Sequence, residues 1–184
     1  VLDFGCATGT KAFELAGSVK QIHGIDISSK MIEAAQRKAV ERKIENVDFA
    51  QTTLFDERYT KESFDVILAF NILHLLENAE HIMQRIHQLL KPGGLCISVT
   101  TCLGEKKSLL IHFQFFPYRL LIKIGLFPHV KRFKFSELED VIGNGNLQIV
   151  ETEKLFHEMS FYFIVAKKIS PLPRRHEGTK KGTK

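Results

Sequence analysis

The sequence predicts an α/β domain built on a mostly parallel sheet, and three observations carry that expectation. Strand-like and helix-like patterns alternate along the chain. One run, FDVILAFN at residues 64–71, is apolar almost throughout, as a central strand covered on both faces must be. The opening, VLDFGCATGT, reads as a buried strand leading through a glycine-bearing turn into a helix.

Taken in order, Val1–Phe4 is the first strand, and a helix is expected from Thr8 to about Ser18. Gln21–Ile27 is the second strand, with Asp26 at its end. Ser28 is placed to cap the next helix, where Ile32, Ala35 and Ala39 recur at helical spacing. Val47–Gln51 is a short third strand and Phe64–Asn71 the fourth. The following helix buries Ile82, Ile86, Leu89 and Leu90 on one face. The KPGG at residues 91–94 stops it, since proline cannot continue a helix and glycine permits a sharp turn. Leu95–Thr101 is the fifth strand. SELE, Ser136–Glu139, has the form of a capping box opening a late helix that GNGN, Gly143–Asn146, ends. Leu147–Glu151 and Phe161–Ala166 then form an antiparallel pair. No internal repeat interrupts the pattern.

The chain has 184 residues, 44% of them hydrophobic and 15 of them Phe, enough for one domain with a sizeable core. The net charge of +5 suggests a polyanion partner until it is located. From Lys167 onward stand seven basic residues against one acid, Glu177, so the basicity belongs to a tail and the body is near neutral. That disfavours nucleic acid. The tail, residues 169–184, cannot bury a core and is expected to be disordered. Cys6, Cys96 and Cys102 do not have the number or spacing of a zinc site or disulfide scaffold, which fits a reducing cytoplasm and no metal. The chain begins mid-core and without Met, so Val1 reads as the start of a fragment.

The first turn carries the chemistry. A dinucleotide fingerprint needs G-x-G-x-x-G, and the corresponding places hold Gly5, Ala7 and Thr10. The pattern present is D-x-G-x-A-x-G, from Asp3 to Gly9. An acid beside the turn is electrostatically wrong for a pyrophosphate, which wants amide donors and positive charge. It suits a ligand with an ammonium and a sulfonium, as in S-adenosylmethionine. Asp26, at the end of the second strand, can accept hydrogen bonds from both hydroxyls of a ribose, which any adenosine ligand offers.

With VLDFGCATG, GIDIS, FDVILAFNILHLL, LLKPGGLCISV and FYFIVAKK in order, the chain resembles a class I S-adenosylmethionine-dependent methyltransferase over roughly residues 1–168. The resemblance implies a three-layer αβα, Rossmann-like fold whose seven-stranded sheet has the order 3-2-1-4-5-7-6, strand 7 antiparallel. It implies S-adenosyl-L-methionine as cofactor. The turn Gly5, Cys6, Ala7, Thr8 and Gly9 would pass the methionine moiety, with Asp3 holding the loop and facing its amino group. Asp26 would bind the ribose, and Ile27 and Met31 would pack near the adenine. Members of the family often place an Asp where this chain has Thr53, so Thr53 and the backbone around Leu54 would supply the adenine contacts, with Asp56 three residues beyond Thr53. Family members also carry one or two helices ahead of the first strand.

Methyl transfer is an in-line displacement with little demand for side-chain chemistry. Asn71, at the end of the fourth strand, is expected to line the cofactor pocket. His74, just beyond, is the candidate base or orienting group, weighed against a histidine merely packing at a helix start. Cys6 reads as a small filler inside the turn. Cys102 lacks the Pro-Cys pair of a cytosine-methylating nucleophile. The stretch Ser108–Phe133, within a lid insertion at about 103–133, is too interrupted to span a bilayer. It reads as a lid over an apolar or lipid-like small-molecule acceptor, as a cover for the core or a contact with a second subunit, or as a membrane-surface helix. A short-chain dehydrogenase would need Y-x-x-x-K, and Tyr59, Tyr118 and Tyr162 are followed four residues on by Ser63, Ile122 and Ala166. An amino-directed nucleic-acid methyltransferase would show Pro-Pro-aromatic where NILH stands. A protein methyltransferase and a non-catalytic cofactor-binding scaffold stay open.

Overall fold

A computed structural model describes residues 1–105, 130–156 and 160–169. The first half of the sheet and its helices are β1 (Leu2–Phe4), α1 (Thr10–Leu15) with a 3-10 extension (Ala16–Ser18), β2 (Ile22–Asp26), α2 (Ser29–Glu41) and β3 (Val47–Gln51). Then come β4 (Phe64–Phe70), a 3-10 turn (Leu73–Leu75), α3 (Ala79–Leu89), β5 (Leu90–Thr101), α4 (Phe135–Asn144), β6 (Leu147–Phe156) and β7 (Ser160–Lys168). All seven strands join one sheet in the order β3-β2-β1-β4-β5-β7-β6. β7 runs antiparallel to both β5 and β6, and the other pairings are parallel. The fold class and strand order expected from the sequence are those observed.

Strand alternation sorts the core into two layers. On one face Ile22, Val47 and Phe49 pack with Ala12 and Phe13 of α1 and Ile32 and Ala35 of α2. On the other, Leu2, Phe4, Ile25, Ile67, Cys96 and Ile164 pack with α3 and α4. α3 buries Ala79, Met83, Ile86 and Leu89, spaced three and four apart as a one-faced helix requires. Each of the larger side chains contributes about 1.5–3 kcal/mol by leaving water. β1 has only three residues, yet all are buried and β2 and β4 pair with it on either side.

Several boundaries differ from the sequence reading, each for a local reason. The first helix begins at Thr10 rather than Thr8, because Ala7 and Gly9 both sit at positive φ (46° and 77°) and cannot be helical. Its last residues tighten into the 3-10 extension. Ser28 caps α2 as expected, its Oγ accepting from Met31 N at 3.4 Å. Leu90 belongs to β5 and not to the preceding helix: at φ −69°, ψ 137° it is already extended. The KPGG therefore ends no loop. It lies inside the strand, with Gly93 at φ 80° and the β4–β5 register shifting between Phe64 and Val66, a bulge that absorbs proline's missing donor. Buried Lys168, at the end of β7, donates to Leu90 O at 2.8 Å and to Glu62 at 3.1 Å, tying this junction to the neighbouring antiparallel strand.

The late helix starts at Phe135, one residue before the expected cap. Glu137 accepts from Lys134 N at 3.0 Å, so the acidic half of the capping box operates while Ser136 lies within the first turn. β6 and β7 run longer than the sequence suggested. Of the expected lid at about 103–133, residues 106–129 lie outside the described residues, and so do residues 170–184 of the tail. Phe133 is fully buried and joins the α3–α4 core.

Ile86→Ala is expected to lower unfolding stability by about 2–5 kcal/mol in a urea titration, because it empties a fully buried site. Val40→Ala on α2, where the side chain is 79% exposed, should stay within about 0.5 kcal/mol of the parent chain.

Candidate cofactor and active site

The carboxyl ends of β1, β2 and β4 converge on the turn that follows β1. That turn reverses direction through three residues at positive φ: Gly5 (75°), Ala7 (46°) and Gly9 (77°). Gly5 N and Cys6 N both donate to Ile25 O, at 2.9 and 3.0 Å, and Gly9 N donates to Cys6 O at 2.9 Å. At Gly9 a side chain has no room, since a Cβ would lie 2.6 Å from Cζ of Phe49. Ala7 adopts the left-handed conformation at a cost of roughly 1–2 kcal/mol. What offsets that cost is Asp26: its Oδ2 accepts from Ala7 N at 3.0 Å, while its Oδ1 accepts from Ser28 N at 2.9 Å. One carboxylate thus fastens the turn after β1 to the start of α2. A carboxylate has about four acceptor positions. Two remain on Asp26, enough for the paired hydroxyls of a ribose.

Asp3 lies beneath this turn in the middle of β1, 2% exposed, with no hydrogen-bond partner for its Oδ2. Burial, and secondarily the charge of Asp26, pushes its pKa up to about 6. A buried acceptor without a donor is costly, and a cationic group at the turn would offset that cost. Two carboxylates around one turn also repel a phosphate. Cys6 is buried, and burial together with Asp3 and Asp26 pushes its thiol up to about 12. A thiol so protonated is a poor nucleophile, because only the thiolate attacks.

Beside Asp26, Ile27 is 74% exposed and Met31 42% exposed, two apolar side chains standing open where an adenine ring can cover them. Thr53 is also exposed; its Oγ accepts from Phe55 N at 3.2 Å and keeps its own proton for donation. Leu54 is fully buried, and its carbonyl already accepts from Arg85 Nε at 2.9 Å, which removes one of the backbone groups expected to serve the adenine. Asp56 is closed off too. Thr52 Oγ donates to it at 2.6 Å and Arg58 binds it through two nitrogens, which hold its carboxyl well below the usual carboxylate range. Arg85, reaching from α3 to the carbonyls of Leu54 and Tyr59, is the organiser of this loop that sequence reasoning missed. Its only local signal was a cation at a helical position beside the apolar face of α3.

At the end of β4, Asn71 is exposed and takes φ 52°. Asn71 N donates to Val99 O at 2.7 Å, and its Oδ1 accepts from Thr101 Oγ at 3.3 Å. That leaves the amide Nδ2 as a donor. His74 lies in the 3-10 turn that follows, rather than at the start of a long helix. Its carbonyl accepts from Lys131 N at 2.7 Å. The ring is half-buried, its Nδ1 has no partner, and burial lowers its pKa, so near neutral pH it is an uncharged imidazole able to take a proton. Among the described residues no cluster of His, Cys, Asp and Glu could hold a metal, and no helix is long and apolar enough to cross a membrane. A groove of about 420 Å³ between α2 and β3, lined by Val40, Lys43, Val47 and neighbours, lies toward the opposite end of these strands.

A family model described as a methyltransferase domain matches residues 1–120. The demethylmenaquinone methyltransferase of Lactococcus lactis is 32% identical over 104 residues, covering 55% of this chain and 41% of that protein. The ubiquinone biosynthesis O-methyltransferase of Rickettsia canadensis is 25% identical over 161 residues, covering 87% of this chain and 67% of that protein. The chain thus spans between two fifths and two thirds of these relatives' lengths. Among solved structures, an S-adenosylmethionine-dependent methyltransferase from Methanosarcina mazei superposes with TM-score 0.76 at 19% identity, over 91% of both chains. A [4+2]-cyclase superposes with TM-score 0.77 at 19% identity, over 92% of this chain and 74% of its own. Both show the same fold.

Gly9→Ala places a methyl group against Phe49 at φ 77°, so it should cost about 1–3 kcal/mol in chemical denaturation and displace the turn. Gly17→Ala, where nothing lies within 4 Å, is the control and should leave stability unchanged or slightly raised.

Proposed function

Because this chain belongs to the methyltransferase-domain family, we propose that it transfers a methyl group from S-adenosyl-L-methionine to a small-molecule acceptor. The observation that carries the reading is the pair of carboxylates around the first turn: buried Asp3 without a partner, and Asp26 with two acceptor positions to spare. The bound cofactor supplies an electrophilic methyl group on a sulfonium centre. The chain's residues hold and orient. Asp26 takes the ribose hydroxyls. Asp3 offsets the positive charge of the amino end. Ile27 and Met31 cover the adenine, and the hydroxyl of Thr53 donates to one of its ring nitrogens. Cys6, Thr8 and the glycines Gly5 and Gly9 shape the turn. Asn71 offers its Nδ2 to an oxygen at the pocket.

His74 is the residue we assign to the acceptor. Its neutral imidazole can remove the proton of a hydroxyl as the methyl group arrives, a contribution of about 10²–10⁴ in rate. Orientation of the acceptor in line with the methyl group supplies the larger part, about 7–11 kcal/mol. The relatives named for demethylmenaquinone and for ubiquinone biosynthesis support an apolar, quinone-like acceptor. The three cysteines are free thiols and fit a reducing cytoplasm. Nucleic acid has no part in the reading. The subunit contact expected through residues 103–133 falls largely outside the described residues.

In a thermal shift, S-adenosylhomocysteine should raise the melting temperature and NAD should not. Ligand at 100 times its Kd stabilises by about 2.7 kcal/mol, and Asp26→Ala should abolish the shift. Stabilisation by NAD instead would overturn the assignment. With a hydroxylated quinone as acceptor, His74→Gln should lower kcat about 10²-fold or more with the cofactor's Kd unchanged. For the parent enzyme, kcat should fall as pH drops through the lowered pKa of His74, below the ordinary 6.5, because the protonated ring cannot act as base. Tight S-adenosylhomocysteine binding with no turnover over a panel of small acceptors would favour a non-catalytic scaffold.

A further inference from the structure

Asp3 is chemically unlike Asp26. Asp26 has two backbone N–H donors and is partly open to solvent, whereas Asp3 is 2% exposed with its Oδ2 unpartnered. Gly24 and Leu68 flank it on β2 and β4 and carry no charge. α1 buries only Ala12 and Phe13 on this side of the sheet. The titratable groups that face Asp3 are Asp26, an anion that disfavours a second negative charge, and the Cys6 thiol, which stays protonated. No protein cation answers it among the described residues. At mildly acidic pH an acid so placed is held neutral by its surroundings until a positive group arrives, whereas at neutral pH it is already mostly ionised.

We propose that at mildly acidic pH cofactor binding at this site is coupled to release of up to one proton, held by Asp3 in the ligand-free protein and given up to solvent when the ligand's ammonium group docks at the turn. The proposal rests on the methyltransferase reading, since it needs a cationic nucleoside as the ligand. The O–H bond of the Asp3 carboxyl breaks, the proton passes to buffer, and the carboxylate left behind faces the ammonium. The sign follows from linkage. The ligand binds the ionised form of Asp3 better, so it lowers the pKa of that group, and protons are released between the free and bound values. With a free pKa of about 6, release is small at pH 8, about half a proton at pH 6 and close to one at pH 5. Over that acidic range the affinity weakens towards tenfold per pH unit. Acidification therefore empties the site.

The test is calorimetric titration of the chain with S-adenosylhomocysteine at pH 5.5, 6, 7 and 8, in pairs of buffers with different ionisation enthalpies, so that the heat difference counts protons. Alongside it, the side-chain carboxyl ¹³C resonance of Asp3 is followed against pH in the ligand-free protein. The expected result is about half a proton released at pH 6, little at pH 8, a midpoint near 6 for Asp3, and no pH-dependent release in Asp3→Asn, which binds more weakly. Binding without proton release at pH 6, or a midpoint near the ordinary 4, overturns the coupling and leaves the methyltransferase reading standing. Absence of binding at every pH overturns the methyltransferase reading and the coupling with it, whatever the carboxyl midpoint.

Discussion

Two carboxylates on neighbouring parallel strands, Asp3 within β1 and Asp26 at the end of β2, define what this turn can hold. Asp26 grips the amides of Ala7 and Ser28, so the bend after β1 and the start of α2 move as one unit. Asp3 sits below with no donor for its Oδ2. A phosphate-binding turn presents amides and a helix N-terminus to an anion. Here an amide that such a turn would offer is spent on Asp26, and the field around it is negative. An acidic pair disfavours a diphosphate and suits the ammonium and ribose of the proposed cofactor, and the left-handed Ala7 is the conformational cost of bringing the bend within reach of Asp26.

The sheet exists, in this respect, to place those two acids. β1 is three residues long but central, so Asp3 is buried by its neighbours on both sides. The order β3-β2-β1-β4 puts Asp26, Thr53, Asp3 and Asn71 at the same end of four adjacent parallel strands, where α/β sheets bind ligands. β5, β7 and β6 extend the sheet on the other side of β4 from the two acids. The tie from Lys168 to Leu90 and Glu62 fixes the antiparallel strand to the α3–β5 junction. Rigidity of this kind keeps the positions of small polar groups defined at the pocket.

Most of the fold was legible because its signals are local. The apolar run Phe64–Asn71, the short strand Val47–Gln51 and the Ser28 cap each follow from residues a few places apart; the strand and the cap appear where expected, and the run forms β4 to within one residue. Misplaced boundaries occurred where two local rules competed. KPGG reads as a helix stop and turn, but tertiary pairing draws Leu90 and the residues after it into β5, with a bulge accommodating Pro92. SELE reads as a cap, but Phe135 is pulled into the core and the helix starts one residue earlier. The placement of Asp3 and Asp26 on β1 and β2, and of Asn71 and His74 just beyond β4, was readable from spacing. The Arg85 bridge to Leu54 and Tyr59 was not, because it joins residues 31 and 26 positions apart. Nor could spacing reveal that Asp56 is consumed by Thr52 and Arg58.

The selectivity of the turn is tested most directly by crystal structures of the chain grown with S-adenosylhomocysteine and, in parallel, with ADP. In the first, the ribose hydroxyls should lie on Asp26 and the amino end beside the Gly5–Gly9 bend, with Asp3 the nearest charge. In the second, no phosphate should rest on that bend. A diphosphate seated against the amides of residues 5–9 would contradict the account at its root.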